Sequence, residues 1–212
     1  MTETIAGITI PDTALVRDIT AFIRDVENDL LYHHSRRTFL FGALQGQKRG
    51  LEVDLELLYA GAMFHDLGLT EGFRDSHIRF EVDGAHAARD FLIERGIAPD
   101  RAEQVWLGVA LHTTPGIPEF MSSEVALVTA GVEADVLGMG LDALSERERA
   151  EVVAVHPRPD FKNAILAAFT EGIRHRPETT FGNVKADVLE HFAPGFERDD
   201  FVEIIRNNPW PE

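Results

Sequence analysis

Apolar residues recur at spacings of three and four through almost every segment of this chain. That periodicity limits it to helices packed on helices. "DTALVRDITAFIRDVEN" places Leu15, Ile19, Phe22, Ile23 and Val26 on one face. "YHHSRRTFLFGALQ", "DLELLYAGAMFHD", "FEVDGAHAARDFLIERG", "PDRAEQVWLGVALH", "SSEVALVTAGVEADVLG" and "DFKNAILAAFTEGIRHR" read as further helices. Asp54 is the expected N-cap of the third and Gly68 its C′ residue; Gly96 closes the fourth. Pro99 falls in the first turn of the fifth. A serine cap and Glu124 open the sixth. "GNVKADVLEHF" and "RDDFVEIIRN" are shorter C-terminal helices, and "TTPGIPE", "HPRPD", "RPETTFG" and "APGF" are turns. Period-two alternation with strand composition is missing. The expected fold is all-α: one domain over residues 1–212, with about 8–158 as its core and about 159–212 as a C-terminal helical extension.

Composition removes several function classes. There is no cysteine, so disulfide scaffolds and thiolate metal sites are excluded. A metal here must be held by imidazole nitrogen and carboxylate oxygen. A formal charge of −16 repels nucleic-acid backbones. No apolar run reaches the roughly 18–20 residues of a membrane span. "MTETIAGITIPDT" lacks the basic and apolar regions of a secretory leader. The expectation is a cytoplasmic protein with a small-molecule substrate, no nucleic-acid or membrane partner, and room for a homo-oligomer.

Histidine placement then narrows the chemistry. His34, His65, His86 and His112 fall near one per helix, Asp66 adjoins His65, and Asp135 lies on the next helix. In an antiparallel bundle this spacing returns each side chain to one depth of the core, which is how bundles build metal sites. Imidazole and carboxylate together suit Zn, Fe, Mn or Ni better than Ca or Mg. A water on such a metal is acidified toward neutral pH. Single buried histidines are commonly hydrogen-bonded core residues; the set carries the reading, because unpaired buried charge is costly without a cation.

The segments "HSRRTFLFG", "AMFHDLGLT", "RFEVDGAHAA" and "ALHTTPGI", with the order His34…His65-Asp66…Asp135, resemble the HD-domain superfamily of metal-dependent phosphohydrolases and related enzymes. Ile8 to Arg158 carries the resemblance, and within the superfamily the chain looks most like cyanamide-hydratase-like proteins. The resemblance implies an HD-domain helical bundle with a metal between helices. It implies a first metal on His34, His65, Asp66 and Asp135, with His86 and His112 at second-metal positions and Asp66 bridging. One or two divalent metals per chain follow, Zn or Fe before Mn or Ni, with Asp66, His86 and His112 as catalytic residues. The implied activity is a hydrolase or hydratase that activates water against a small molecule such as cyanamide. The alternatives are a phosphohydrolase acting on a nucleotide or small phosphoester and a mixed-valent diiron oxygenase. Such oxygenases tend to carry a lysine just after the His112 position, where this chain has Thr113, Thr114 and Gly116.

Around this set, Arg37, Thr70, Phe73, Arg79, Glu81 and Thr113 are candidate substrate contacts. Arg36 and Arg37 read first as salt-bridge partners in so acidic a chain. Glu81 serves equally as a helix cap or as an orienting group for a ligand histidine. His33 points about 100° away from His34 on its helix and is expected outside the site. His156, His175 and His191 are expected at the surface.

Overall fold

In the computed structural model, which describes residues 3–207, 209 and 210, ten α-helices dominate. The all-α expectation holds with one addition, a two-strand antiparallel hairpin of β1 (Thr4–Ile5) and β2 (Ile8–Thr9). Its turn places Ala6 and Gly7 at positive φ, the conformation a two-residue hairpin requires. Two residues per strand are too few for a period-two pattern to show.

The first helix, α1 (Ala14–Val26), buries Val16, Ile19 and Ile23. Each contributes about 1.5–3 kcal/mol by leaving water. Phe22 lies at the margin, stacked on Phe64 and tilted against Phe91. The longest helix, α2 (Asp29–Arg49), packs most extensively against α6 (Ser123–Leu137). Two glycines set that approach. A Cβ on Gly131 would strike the Thr38 carbonyl oxygen, and one on Gly42 would strike that of Leu127. Helices in such backbone contact tolerate no side chain between them.

Between these lies α3 (Leu55–Phe64), almost wholly buried. Asp54 caps it, accepting from the N–H groups of Glu56 and Leu57. The helix ends at Phe64 rather than running on to Gly68, and residues Leu67–Leu69 form a 3₁₀ turn. Gly68 is needed for a different reason than a left-handed cap: a Cβ there would fall on the Phe80 backbone. The helix α4 (Phe80–Glu94) can therefore start directly against the His–Asp turn. It pairs with α5 (Pro99–Leu111), which has Pro99 at its start as expected.

One helix has no counterpart in the periodicity reading, α7 (Glu146–Val155). Its signal is a capping box: Ser145 accepts from the Glu148 N–H, and the Glu148 side chain returns to the Ser145 N–H.

The C-terminal helices α8 (Phe161–Ile173), α9 (Lys185–Phe192) and α10 (Phe201–Arg206) follow. Phe161, Ile165, Ile173 and Leu189 join Leu31, Leu69 and Phe80 in a second apolar cluster. Arg176, fully buried, ties this layer down. It donates to the carbonyls of Gly172, Ile78 and Gly68 and pairs with Asp83. Among the described residues no helix is long and apolar enough to cross a membrane.

Candidate metal centre

Four polar side chains converge where α2, the α3–α4 turn and the end of α5 meet. His34 comes from the second turn of α2, His65 and Asp66 from the residues that end α3, and His112 from the C-cap of α5. All four are 3% exposed or less.

Each imidazole uses its Nδ1 outside the cluster. His34 Nδ1 lies 2.7 Å from Asp135 Oδ2. His65 Nδ1 lies 2.7 Å from the Ala62 carbonyl oxygen, and His112 Nδ1 lies 2.6 Å from that of Val109. These partners only accept, so each Nδ1 carries the proton and each Nε2 presents a lone pair inward. The His34 and His65 Nε2 atoms are 3.1 Å apart. Asp66 Oδ2 is 3.3 Å from His65 Nε2 and 3.6 Å from His34 Nε2, and Asp66 Oδ1 is 3.6 Å from His112 Nε2. Neither Asp66 oxygen nor His112 Nε2 has a hydrogen-bond partner. Lone pairs and a carboxylate facing one another in a buried space repel unless a cation lies between them.

The local field favours a positive charge beside Asp66, whether a metal or a proton on an imidazole. Burial pushes the Asp66 carboxyl up, but His65, His112 and His34 outweigh it and hold it well below the usual range. Burial lowers His65, and the Asp66 charge more than reverses this, raising it. For His34 burial prevails over Asp135 and the imidazole is lowered, which keeps it neutral and available as a donor. Nitrogen and carboxylate donors of this kind fit a divalent transition metal. His34, His65 and Asp66 offer donor atoms that all lie within 4.8 Å of one another, and His112 stands on the other side of Asp66.

Two expected ligands lie elsewhere. Asp135 is on the Nδ1 side of His34. Its oxygens are taken by that imidazole, by Arg37 at 2.9 and 2.8 Å, and by Arg158 at 2.8 Å. Here it orients His34 from behind; burial opposes its ionisation, but His34 first and Arg37 after it hold the carboxyl well below the usual range. His86 is one helical face away. Its Nδ1 accepts from the Trp106 indole N–H at 3.1 Å and lies 3.2 Å from an Arg89 nitrogen. From α4, Phe80 sets its ring centroid 5.6 Å from that of His112, and Gly84 packs on the backbone of Phe64 and His65.

The candidate substrate contacts divide. Arg37 is fully buried and spends its donors on Asp135 and on the carbonyls of His156 and Pro157, so it has no free face for a substrate. Arg36 pairs with Glu3 and Tyr59. Thr70 bonds the Leu67 carbonyl and Phe73 packs on the core edge. Arg79, Glu81 and Thr113 do come together: Arg79 and Thr113 both donate to Glu81 Oε1. Lys185, which the sequence pattern did not single out, adds a third bond at 2.5 Å from α9. Burial opposes ionisation of Glu81, yet Lys185 and Arg79 hold it down to about 2; burial takes Lys185 down to about 8 despite that attraction. Beside this group a cleft of about 420 Å³ opens, lined by Arg79, Thr113, Thr114, Pro115, Asn183 and Arg198.

His33 lies outside the cluster, its Nδ1 3.0 Å from His156 Nδ1. His156 is buried rather than at the surface, and burial with Arg36, His33 and Arg37 takes it down to about 3. His175 is half-buried and His191 exposed.

A helical domain that brings two imidazoles and a carboxylate within reach of one metal ion, with a third imidazole beside the carboxylate, defines a class of helical domains able to hold a metal. Residues 31–155 match the HD domain model, and the chain belongs to the HD-domain family. No curated protein matches it.

Proposed function

We propose that this protein is a metal-dependent hydrolase or hydratase acting on a small molecule, with a nitrile-like carbon as in cyanamide as the target. One observation carries the reading: three Nε2 lone pairs and an unpartnered carboxylate meet in a buried space. His34, His65 and Asp66, with His112 beside them, would hold a divalent transition metal such as Zn or Fe, which would acidify a water toward neutral pH. Asp135 fixes the His34 ring, and the Ala62 and Val109 carbonyls fix those of His65 and His112. Arg79, Glu81 and Thr113 orient a substrate entering from the adjoining cleft.

Two features favour this over the alternatives. A phosphoryl group calls for cations aimed at its oxygens. Three of the four candidate arginines are committed to carboxylates, Arg36 to Glu3, Arg37 to Asp135 and Arg74 to Glu71, and the fourth, Arg79, pairs with Glu81 at the cleft wall. The diiron oxygenase reading draws on six ligands, and His86 and Asp135 lie outside this cluster. The test is turnover by metal-loaded protein of cyanamide, nitriles, isonitriles and phosphoesters. Hydration of cyanamide or another nitrile-like compound supports the reading. Turnover confined to phosphoesters overturns it in favour of a phosphohydrolase.

A further inference from the structure

The chain carries 36 aspartates and glutamates against 20 lysines and arginines, and nearly every cation is spent on a carboxylate. Among the described residues, Arg49, Arg149 and Lys162 alone have no carboxylate partner. Arg49 donates to the Gln45 side chain instead. The other two line one cleft. In so acidic a protein carboxylates are abundant, and two unmatched cations at a single concave place call for an anion from outside.

The cleft holds about 380 Å³ between the end of α6, α7 and the start of α8. Arg149 lines it from α7, Lys162 from the first turn of α8 and Arg158 from the link between them. Arg149 Nε is buried and has no hydrogen-bond partner, a costly state for a charged donor. Arg158 gives two nitrogens to Asp135: Nε lies 2.8 Å from Oδ1, and Nη2 bonds the backbone carbonyl. Asp135 is the one carboxylate in the lining, and His34, Arg37 and Arg158 already match it. The cleft is therefore locally positive. Phe41, Leu137 and Val153 add an apolar wall. None of His34, His65, Asp66 and His112 lines it, and it shares no residue with the cleft beside Glu81. Guanidinium groups present forked donors that match phosphate oxygens, and a lysine adds a compact charge.

We propose that this cleft binds a small organic phosphate, with the phosphoryl oxygens on Arg149, Arg158 and Lys162 and the organic part against Phe41, Leu137 and Val153. The unmatched charges of Arg149 and Lys162 balance a phosphoryl dianion. The site is separate from the metal centre and stands whether or not the metal reading does.

The test titrates phenyl phosphate into the full chain by calorimetry, after metal has been stripped so that the metal centre offers the anion no second site. Benzoate, with the same ring and a single charge, is the comparison. Wild type is expected to bind one phenyl phosphate per chain, at least about tenfold more tightly than benzoate. Lys162→Met and Arg149→Met are each expected to weaken phenyl phosphate about tenfold, the size of one lost charge-assisted hydrogen bond. Arg198→Met, at the cleft beside Glu81, is expected to keep wild-type affinity. Thermal melting checks the fold of each variant. Lys162 is exposed, so its replacement leaves the core untouched and decides the matter even where Arg149→Met fails to fold. Unchanged affinity in either folded variant, a loss in Arg198→Met, or no saturable binding by wild type overturns the inference. Benzoate bound as tightly as phenyl phosphate overturns the phosphoryl assignment.

Discussion

The Nε2 atoms of His34 and His65 stand 3.1 Å apart, and both rings give their Nδ1 protons to oxygens outside the pair. That spacing suits a cation or a proton held between the two nitrogens, and the adjoining Asp66 carboxylate supplies the countercharge.

Asp135 tests which carboxylates bind metal and which only orient. With His34 Nδ1, Arg37 and Arg158 on its oxygens, it acts through His34. Asp135→Asn is expected to keep the metal stoichiometry and lower affinity about 10–100-fold, the range for residues behind a ligand. It also leaves two guanidiniums facing a neutral amide, so stability falls by about 3 kcal/mol. Chelator competition and urea unfolding read the two effects; complete loss of metal would make Asp135 a ligand.

Glu27 predicts a pH dependence of stability. Its folded-state carboxyl is raised above the ordinary range, so the folded metal-free protein binds a proton more tightly than the unfolded chain. The stability this gives is fully present below the usual carboxylate pKa and is lost as pH rises through the raised value. Glu27→Gln removes that loss. In chelator, the variant is expected to gain on wild type as pH rises above the ordinary carboxylate range, by about 1 kcal/mol or more. A constant difference across that range would show that Glu27 titrates normally.

Lys185 joins α9 to α4 through Glu81, and both side chains are fully buried. Lys185→Met removes one partner of a buried ion pair and is expected to cost about 3 kcal/mol. Glu81 is held down to about 2, so its contribution is present above the ordinary carboxylate range and disappears only in strong acid. Without Lys185 that loss begins at higher pH, and the acid-unfolding midpoint moves up. Adding Glu81→Gln is expected to recover part of the cost. An unchanged acid midpoint in Lys185→Met would refute this coupling.

Much of this was legible in the sequence, for identifiable reasons. The three- and four-residue spacing in α1, α4, α5 and α8 follows from one buried face per helix, so the all-α fold could be read directly. His34, His65, Asp66 and His112 could be found because a bundle repeats its depth once per helix and loop. Spacing along a helix does not fix which face a side chain takes, and His86 shows this: it recurs on schedule yet turns to Trp106. Asp135 sits at the right depth, but Arg37 and Arg158 claim its oxygens, a pairing across α2, α6 and the chain after α7 that no local pattern reveals. Glu27 and Lys185 were missed for the same reason. One lies in a link between helices and the other beyond the recognisable segments, and only tertiary packing buries Glu27 against Ser35 and brings Lys185 to Glu81.

The central claim is that His34, His65, Asp66 and His112 hold a transition metal. The most direct measurement is elemental analysis of wild type and His65→Ala, each purified without added metal and then dialysed against Zn²⁺ or Fe²⁺. The account predicts about one tightly held metal per wild-type chain and close to none in His65→Ala. A wild type that retains no metal, or a His65→Ala protein that retains as much, would contradict it.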